Sequence, residues 1–134
     1  MKRLILLLVP VVLLTSCYFE EVQPRYDDRD RIVGYYDVEE YSETYHDITY
    51  YSIRISKSGY YNEIYLDNFY AADIRVYAKV DYNSVRIPFQ VVDGYEVEGT
   101  GTVYGSEINF NYRVKDLYSN SYTDFCETKA FFDY

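Results

Sequence analysis

The chain has 134 residues, 22 acidic and 13 basic, with a formal net charge of -9 and a single histidine. That length makes one small domain, large enough to bury a core without metal or disulfide staples. Its acidity repels nucleic acid and anionic lipid headgroups, which excludes nucleic-acid binding, and the lone histidine excludes a His-rich metal site. Tyrosine occurs 20 times, beside seven phenylalanines and no tryptophan. Tyrosine favours strands and joins an apolar body to a polar tip. A core of this size does not hold twenty such rings, so many are expected outside.

In chain order, Lys2 and Arg3 precede an apolar run from Leu4 to Leu14 that Pro10 interrupts. The run is about half of the roughly 20 apolar residues that span a bilayer, and it suits a cleaved apolar segment. It leads into Leu14-Thr15-Ser16-Cys17. The arrangement resembles a bacterial lipoprotein signal peptide. The resemblance implies that residues 1–16 are removed and that Cys17 becomes the lipidated N-terminus, anchored through its acyl chains. Tyr18 stands where the inner-membrane retention signal of enterobacterial lipoproteins has Asp, which points to the outer membrane. Glu20-Glu21 resembles a surface-export signal. Losing residues 1–16 takes Lys2 and Arg3 and no acid, so the mature net charge falls to -11. With Cys17 acylated, Cys126 has no partner within the chain, and its apolar setting, Phe125 to Phe132, predicts a buried, inert thiol.

Tyr18 to Arg31 shows no apolar periodicity and reads as an extended, solvated tether (residues 17–31). Asp27-Asp28-Arg29-Asp30 lacks the glycine and closing glutamate of a calcium loop and reads as a solvated charge run. From residue 32 onward the dominant period is two, the mark of strands with one buried face. Ile108, Phe110, Tyr112 and Val114 alternate with polar residues. So do Ile74, Val76, Ala78 and Val80, and Tyr51, Ile53 and Ile55. The expected strands are 32–42, 48–57, 62–68, 73–82, 84–89, 91–104, 106–115 and 124–132. Ser58-Gly59, Tyr82-Asn83-Ser84 and Gly105-Ser106 supply turns. Gly99 and Gly101 inside a strand suggest a bulge or bend. Pro88 suggests a strand end or an edge. Eight short antiparallel strands in residues 32–134 predict an all-β domain, a meander closed into a barrel, with a two-sheet sandwich as the alternative. An eight-stranded barrel has room for side chains or one small ligand.

Gly34-Tyr35-Tyr36 at the start of the first strand resembles the lipocalin Gly-x-Trp motif, with Tyr36 in the tryptophan position. Asn68-Phe69-Tyr70, Val85-Arg86-Ile87-Pro88, Gly99-Thr100-Gly101 and Ile108-Asn109-Phe110-Asn111-Tyr112 are similar to small lipocalin-like lipoproteins of Gram-negative bacteria. The resemblance covers about residues 32–132. It implies a lipocalin-like barrel, with Lys129 as the basic residue covering the Tyr36 ring. The inward rings of Tyr36, Phe110 and Tyr112 are the candidate ligand contacts.

No catalytic, metal or cofactor site is expected. His46 reads as an exposed turn residue, although a hydrolase would need it beside Ser42 or Thr44. Glu39 and Glu40 are adjacent and face opposite ways. Glu96 and Glu98 share a face about 7 Å apart, a spacing that glycoside hydrolysis permits. Gly99-Thr100-Gly101-Thr102 lacks the lysine of a phosphate loop. Tyr50, Tyr65 and Tyr77 are the candidate aromatic surface patch. The expectation is a non-enzymatic, membrane-anchored binding module without cofactor. Its partner is a small apolar ligand, a glycan or a protein, and the alternatives are a glycan-binding or structural surface lipoprotein and an unrecognised hydrolase.

Overall fold

The computed structural model describes residues 26–134; the expected signal segment, Cys17 with its expected acylation and the first part of the expected tether lie outside the described residues. Eight strands follow a short 3₁₀ turn, Asp28–Arg31: β1 (Gly34–Ser42), β2 (Asp47–Lys57), β3 (Glu63–Phe69), β4 (Ile74–Asp81), β5 (Ser84–Val92), β6 (Tyr95–Tyr104), β7 (Glu107–Asp116) and β8 (Asp124–Phe132). Each strand pairs antiparallel with the next, and β1 pairs with β8 from Tyr36↔Phe132 to Ser42↔Cys126. That last ladder closes a lipocalin-like meander barrel and excludes the two-sheet sandwich. Every strand then has a paired neighbour on both sides, although the β2–β3 and β4–β5 ladders are short.

The alternation seen in the sequence is the alternation of the wall. Ile108, Phe110, Tyr112 and Val114 of β7 and Ile74, Val76, Ala78 and Val80 of β4 all point into one continuous core. Gly99 and Gly101 of β6 stand opposite Tyr112 and Phe110. A Cβ at Gly99 would lie 2.4 Å from the Tyr112 Cβ, and one at Gly101 would lie 2.6 Å from a Phe110 ring carbon. The two aromatic side chains therefore fill space that β6 leaves vacant. The bulge lies on the partner strand instead: β5 carries one extra residue between Ile87↔Gly99 and Gln90↔Val97.

Pro88 sits at that bulge, inside β5 and not at a strand end, on a stretch that the β4 ladder does not reach and that is a local edge in the expected sense. Its missing N–H falls where the β4–β5 ladder, which pairs only Lys79–Asp81 with Ser84–Arg86, has already stopped. The buried Gln90 side chain completes the seam. Its Oε1 accepts from the Tyr77 N–H at 3.0 Å, and its Nε2 donates to the Tyr77 carbonyl at 2.9 Å and the Pro88 carbonyl at 3.0 Å. Gln90→Leu would leave both Tyr77 backbone groups without partners. The expected loss is about 1–3 kcal/mol in urea denaturation; an unchanged midpoint would show that the amide does not act as a ladder rung.

The β5–β6 boundary and the end of the tether differ most from the sequence reading. β5 runs on to Val92, and the hairpin turns at Asp93-Gly94, both with positive φ (49° and 83°), as a mirror-image two-residue turn requires. Pro88 had masked that Asp-Gly signal. The tether also ends sooner than expected, because Asp28–Arg31 folds back on the barrel. Asp27 caps the turn by accepting from the Arg29 N–H at 3.0 Å, and the Arg29 guanidinium donates to the Ser58, Tyr60 and Glu63 carbonyls at 2.9–3.2 Å. Ile32 follows, fully buried, and plugs this end. The charge run expected to be solvated is thus mostly paired: Asp27 with Arg29 and Lys57, and Asp30 with Lys57.

Candidate functional site

The closed end is apolar inside. Tyr36 is 1% exposed, and its hydroxyl donates to the Ile32 carbonyl at 2.9 Å. Its ring meets Phe132 edge-on, with centroids 5.4 Å apart. Burial, then Tyr134, pushes the Tyr36 hydroxyl up to about 12. Lys129 does not cover this ring. It lies on the outer face of β8 opposite Glu39, because the pleat turns alternate residues outward, and Phe132 takes the covering place.

The other end is polar inside. Glu40 and Ser42 from β1, Tyr51 from β2, Tyr112 from β7 and Asp124, Cys126 and Thr128 from β8 converge there, with Tyr70 from the β3–β4 turn. The Tyr51 hydroxyl donates to Glu40 Oε2 at 2.5 Å and lies 3.3 Å from the Tyr112 hydroxyl, and Thr128 Oγ1 donates to the same carboxylate at 3.5 Å. Asp124 accepts from Ser42 Oγ at 2.5 Å and from the Tyr70 hydroxyl at 2.6 Å. Both carboxylates are buried, at 5% and 4% exposure. Among the described residues, the ion pairs formed by lysine and arginine leave both unmatched.

Burial therefore pushes Glu40 up to about 7, against the Tyr51 hydrogen bond and with help from the charge of Asp124. Burial, then Glu40, raises the Tyr51 hydroxyl, and burial, then Asp124, raises that of Tyr70. The free Cys126 thiol is raised by burial and by the two acids, so it is held as an unreactive thiol. The native protein is accordingly expected to resist a thiol-modifying disulfide reagent at pH 8 and to react fully once unfolded in urea; fast native labelling would contradict this.

Sequence reasoning passed over this cluster, although the signal was present. Glu40 is in phase with Tyr36 and Val38, and Asp124 with Cys126 and Ala130, so both acids occupy core positions of their strands. The expected contacts divide differently. Tyr36 belongs to the closed end, and Phe110 and Tyr112 lie over the β6 glycines, Tyr112 also packing on Phe69 at 4.5 Å. Tyr65 and Tyr77 are direct neighbours across β3 and β4, both half-buried, with Arg75 over the Tyr65 ring at 4.6 Å. Tyr50 stands apart on β2, six residues from the partner of Tyr65, about 20 Å along the strand. The three do not make one patch.

His46 lies exposed in the β1–β2 turn, its Nδ1 3.2 Å from the Tyr41 hydroxyl. Ser42 gives its hydroxyl to Asp124 and Thr44 gives its own to the Thr123 carbonyl, so neither forms a triad with His46. Glu98 pairs with Arg113 at 2.6 Å on the outer wall.

Around the polar end the β1–β2 turn and the β7–β8 loop are zipped together. Glu43 N–H donates to the Phe125 carbonyl at 2.8 Å, and the Phe125 N–H donates to Thr44 Oγ1 at 3.1 Å. The zipped loops and the start of β8 present Tyr45, Leu117, Tyr118, Tyr122 and Phe125 to solvent, with Tyr118 88% exposed. The outer wall beside them carries a shallow groove of about 520 Å³ along β1, β2, β7 and β8, lined by Tyr41, Ile48, Asn109, Asn111, Glu127 and Lys129 among others. No helix of the described residues is long and apolar enough to cross a membrane. No protein-family model matches the chain, and no curated protein is significantly similar to it.

Proposed function

We propose that this protein is a non-enzymatic lipoprotein, held at the outer membrane by acyl chains on Cys17, whose barrel meets a partner with its outer surface. The observation that carries the reading is the filled interior. Tyr36, Phe110 and Tyr112 are at most 5% exposed and belong to the packed core, so a small apolar ligand would have to displace them. The exposed aromatic side chains at the polar rim, rigid and amphipathic, are the kind that partner surfaces use. The carboxylates beneath them are buried and hydrogen-bonded by tyrosine hydroxyls, which suits a structural plug better than a reaction centre. Surface display follows from the Glu20-Glu21 pair, and a protein or a glycan is the partner class.

Two measurements test this. Labelling with a radioactive fatty acid is expected for the wild-type chain and not for Cys17→Ala. Photo-crosslinkers placed at Tyr118 and Tyr122 are expected to capture a partner from intact cells, while a fluorescent fatty acid shows no saturable binding. Saturable, displaceable uptake of that fatty acid would replace the surface reading with a carrier.

A further inference from the structure

The end of the barrel opposite the polar rim carries its own crown of tyrosines. Tyr26 precedes the 3₁₀ turn, Tyr60 and Tyr61 lie in the β2–β3 turn, Tyr82 in the β4–β5 turn, Tyr104 at the β6–β7 turn and Tyr134 at the C-terminus. Every connection at this end presents at least one such ring, and the six are between 61% and 98% exposed. The crown is organised by two arginines. Arg29 holds the turn bearing Tyr60 and Tyr61 through three carbonyls. The Arg31 guanidinium lies 5.1 Å from the Tyr82 ring centre and 6.0 Å from that of Tyr26, and it donates to the Tyr82 carbonyl at 2.8 Å.

The chain enters the barrel at this same end. Tyr26 stands nine residues after Cys17, a segment that reaches about 30 Å when fully extended. Tyrosine is also the side chain favoured at the membrane–water boundary, where its body meets acyl chains and its hydroxyl meets headgroups. We infer that the closed end of the barrel is a bilayer-facing surface, seated on zwitterionic headgroups through its tyrosine crown while the polar rim points away from the membrane. This rests on the proposed anchoring through Cys17. Charge selects the lipid: Asp27, Asp28, Asp30, Asp81 and Asp133 outnumber Arg29, Arg31 and Lys57 at this end, which disfavours anionic lipids.

The absence of tryptophan makes the test direct. Single reporters Tyr60→Trp, Tyr104→Trp and Tyr118→Trp occupy exposed positions, the third at the opposite end. Each is introduced into the full chain, expressed with its signal and reconstituted after acylation into phosphatidylcholine vesicles containing a brominated phosphatidylcholine. Fluorescence at positions 60 and 104 is expected to fall at least twofold, with position 118 unchanged, and added phosphatidylglycerol is expected to weaken the effect. A vesicle-bound protein with all three reporters unquenched, or with position 118 quenched equally, overturns this inference and leaves the anchoring intact. A protein that floats free of the vesicles, like Cys17→Ala, overturns both.

Discussion

Replacing Tyr36 with alanine is expected to cost about 3–5 kcal/mol, the range for deleting a buried aromatic ring. The ring is 1% exposed, packs edge-on against Phe132 and ties β1 to Ile32 through its hydroxyl. Its loss opens a cavity at the end that Ile32 plugs and frees the turn that precedes it. Tyr36→Phe keeps the ring and leaves the Ile32 carbonyl without its donor, so about 1 kcal/mol is expected. At about 4–8 °C per kcal/mol for a domain of this size, the alanine variant should melt more than 10 °C below wild type. Urea denaturation followed by tyrosine fluorescence measures both. A difference of under 1 kcal/mol between the two variants would mean that the closed end does not depend on this ring.

The second large effect is a dependence on pH. Glu40 has an ordinary value of 4.5 and is pushed up to about 7 in the folded barrel. Between those values the folded state holds a proton that the unfolded chain releases, so stability falls as pH rises through this window. The contribution is fully present below pH 4.5 and lost above about pH 7, and it amounts to about 3 kcal/mol at 1.36 kcal/mol per unit. Glu40→Gln keeps an acceptor for the Tyr51 hydroxyl and removes the titration. The variant is expected to match wild type near pH 4.5 and to exceed it by up to about 3 kcal/mol at pH 8. Parallel stability curves for the two proteins from pH 4 to 8 would refute the assignment.

Strands were legible because a one-sided wall imposes a period of two on its residues. The alternation in β4 and β7 could be read directly, and so could the turn signals at Ser58-Gly59 and Gly105-Ser106. The end of β5 was not legible. Pro88 breaks strands when judged locally, and only the Gln90 amide, reaching across to Tyr77, shows how the sheet tolerates it. Lys129 was misplaced for a related reason: chain order brings it near the end of the barrel, but strand phase turns it outward and gives Phe132 the contact with Tyr36.

The candidate site divides along the same line. The phase of Glu40 and Asp124 could have marked both as inward, but phase says nothing of what they meet. Glu40 and Thr128 are 88 residues apart, and Ser42 and Asp124 are 82. Barrel closure brings them together, and their pairing decides whether a buried acid is matched by a cation or by hydroxyls. Local periodicity, composition and turn chemistry by themselves determine an acidic, tyrosine-rich, all-β domain, because these properties act over a few residues. The choice of barrel closure over a two-sheet sandwich, the filling of the lumen by side chains opposite the β6 glycines, and the gathering of most exposed tyrosines at the two barrel ends were decided only by the tertiary structure. They depend on register between strands distant in sequence, and no local signal carries that register.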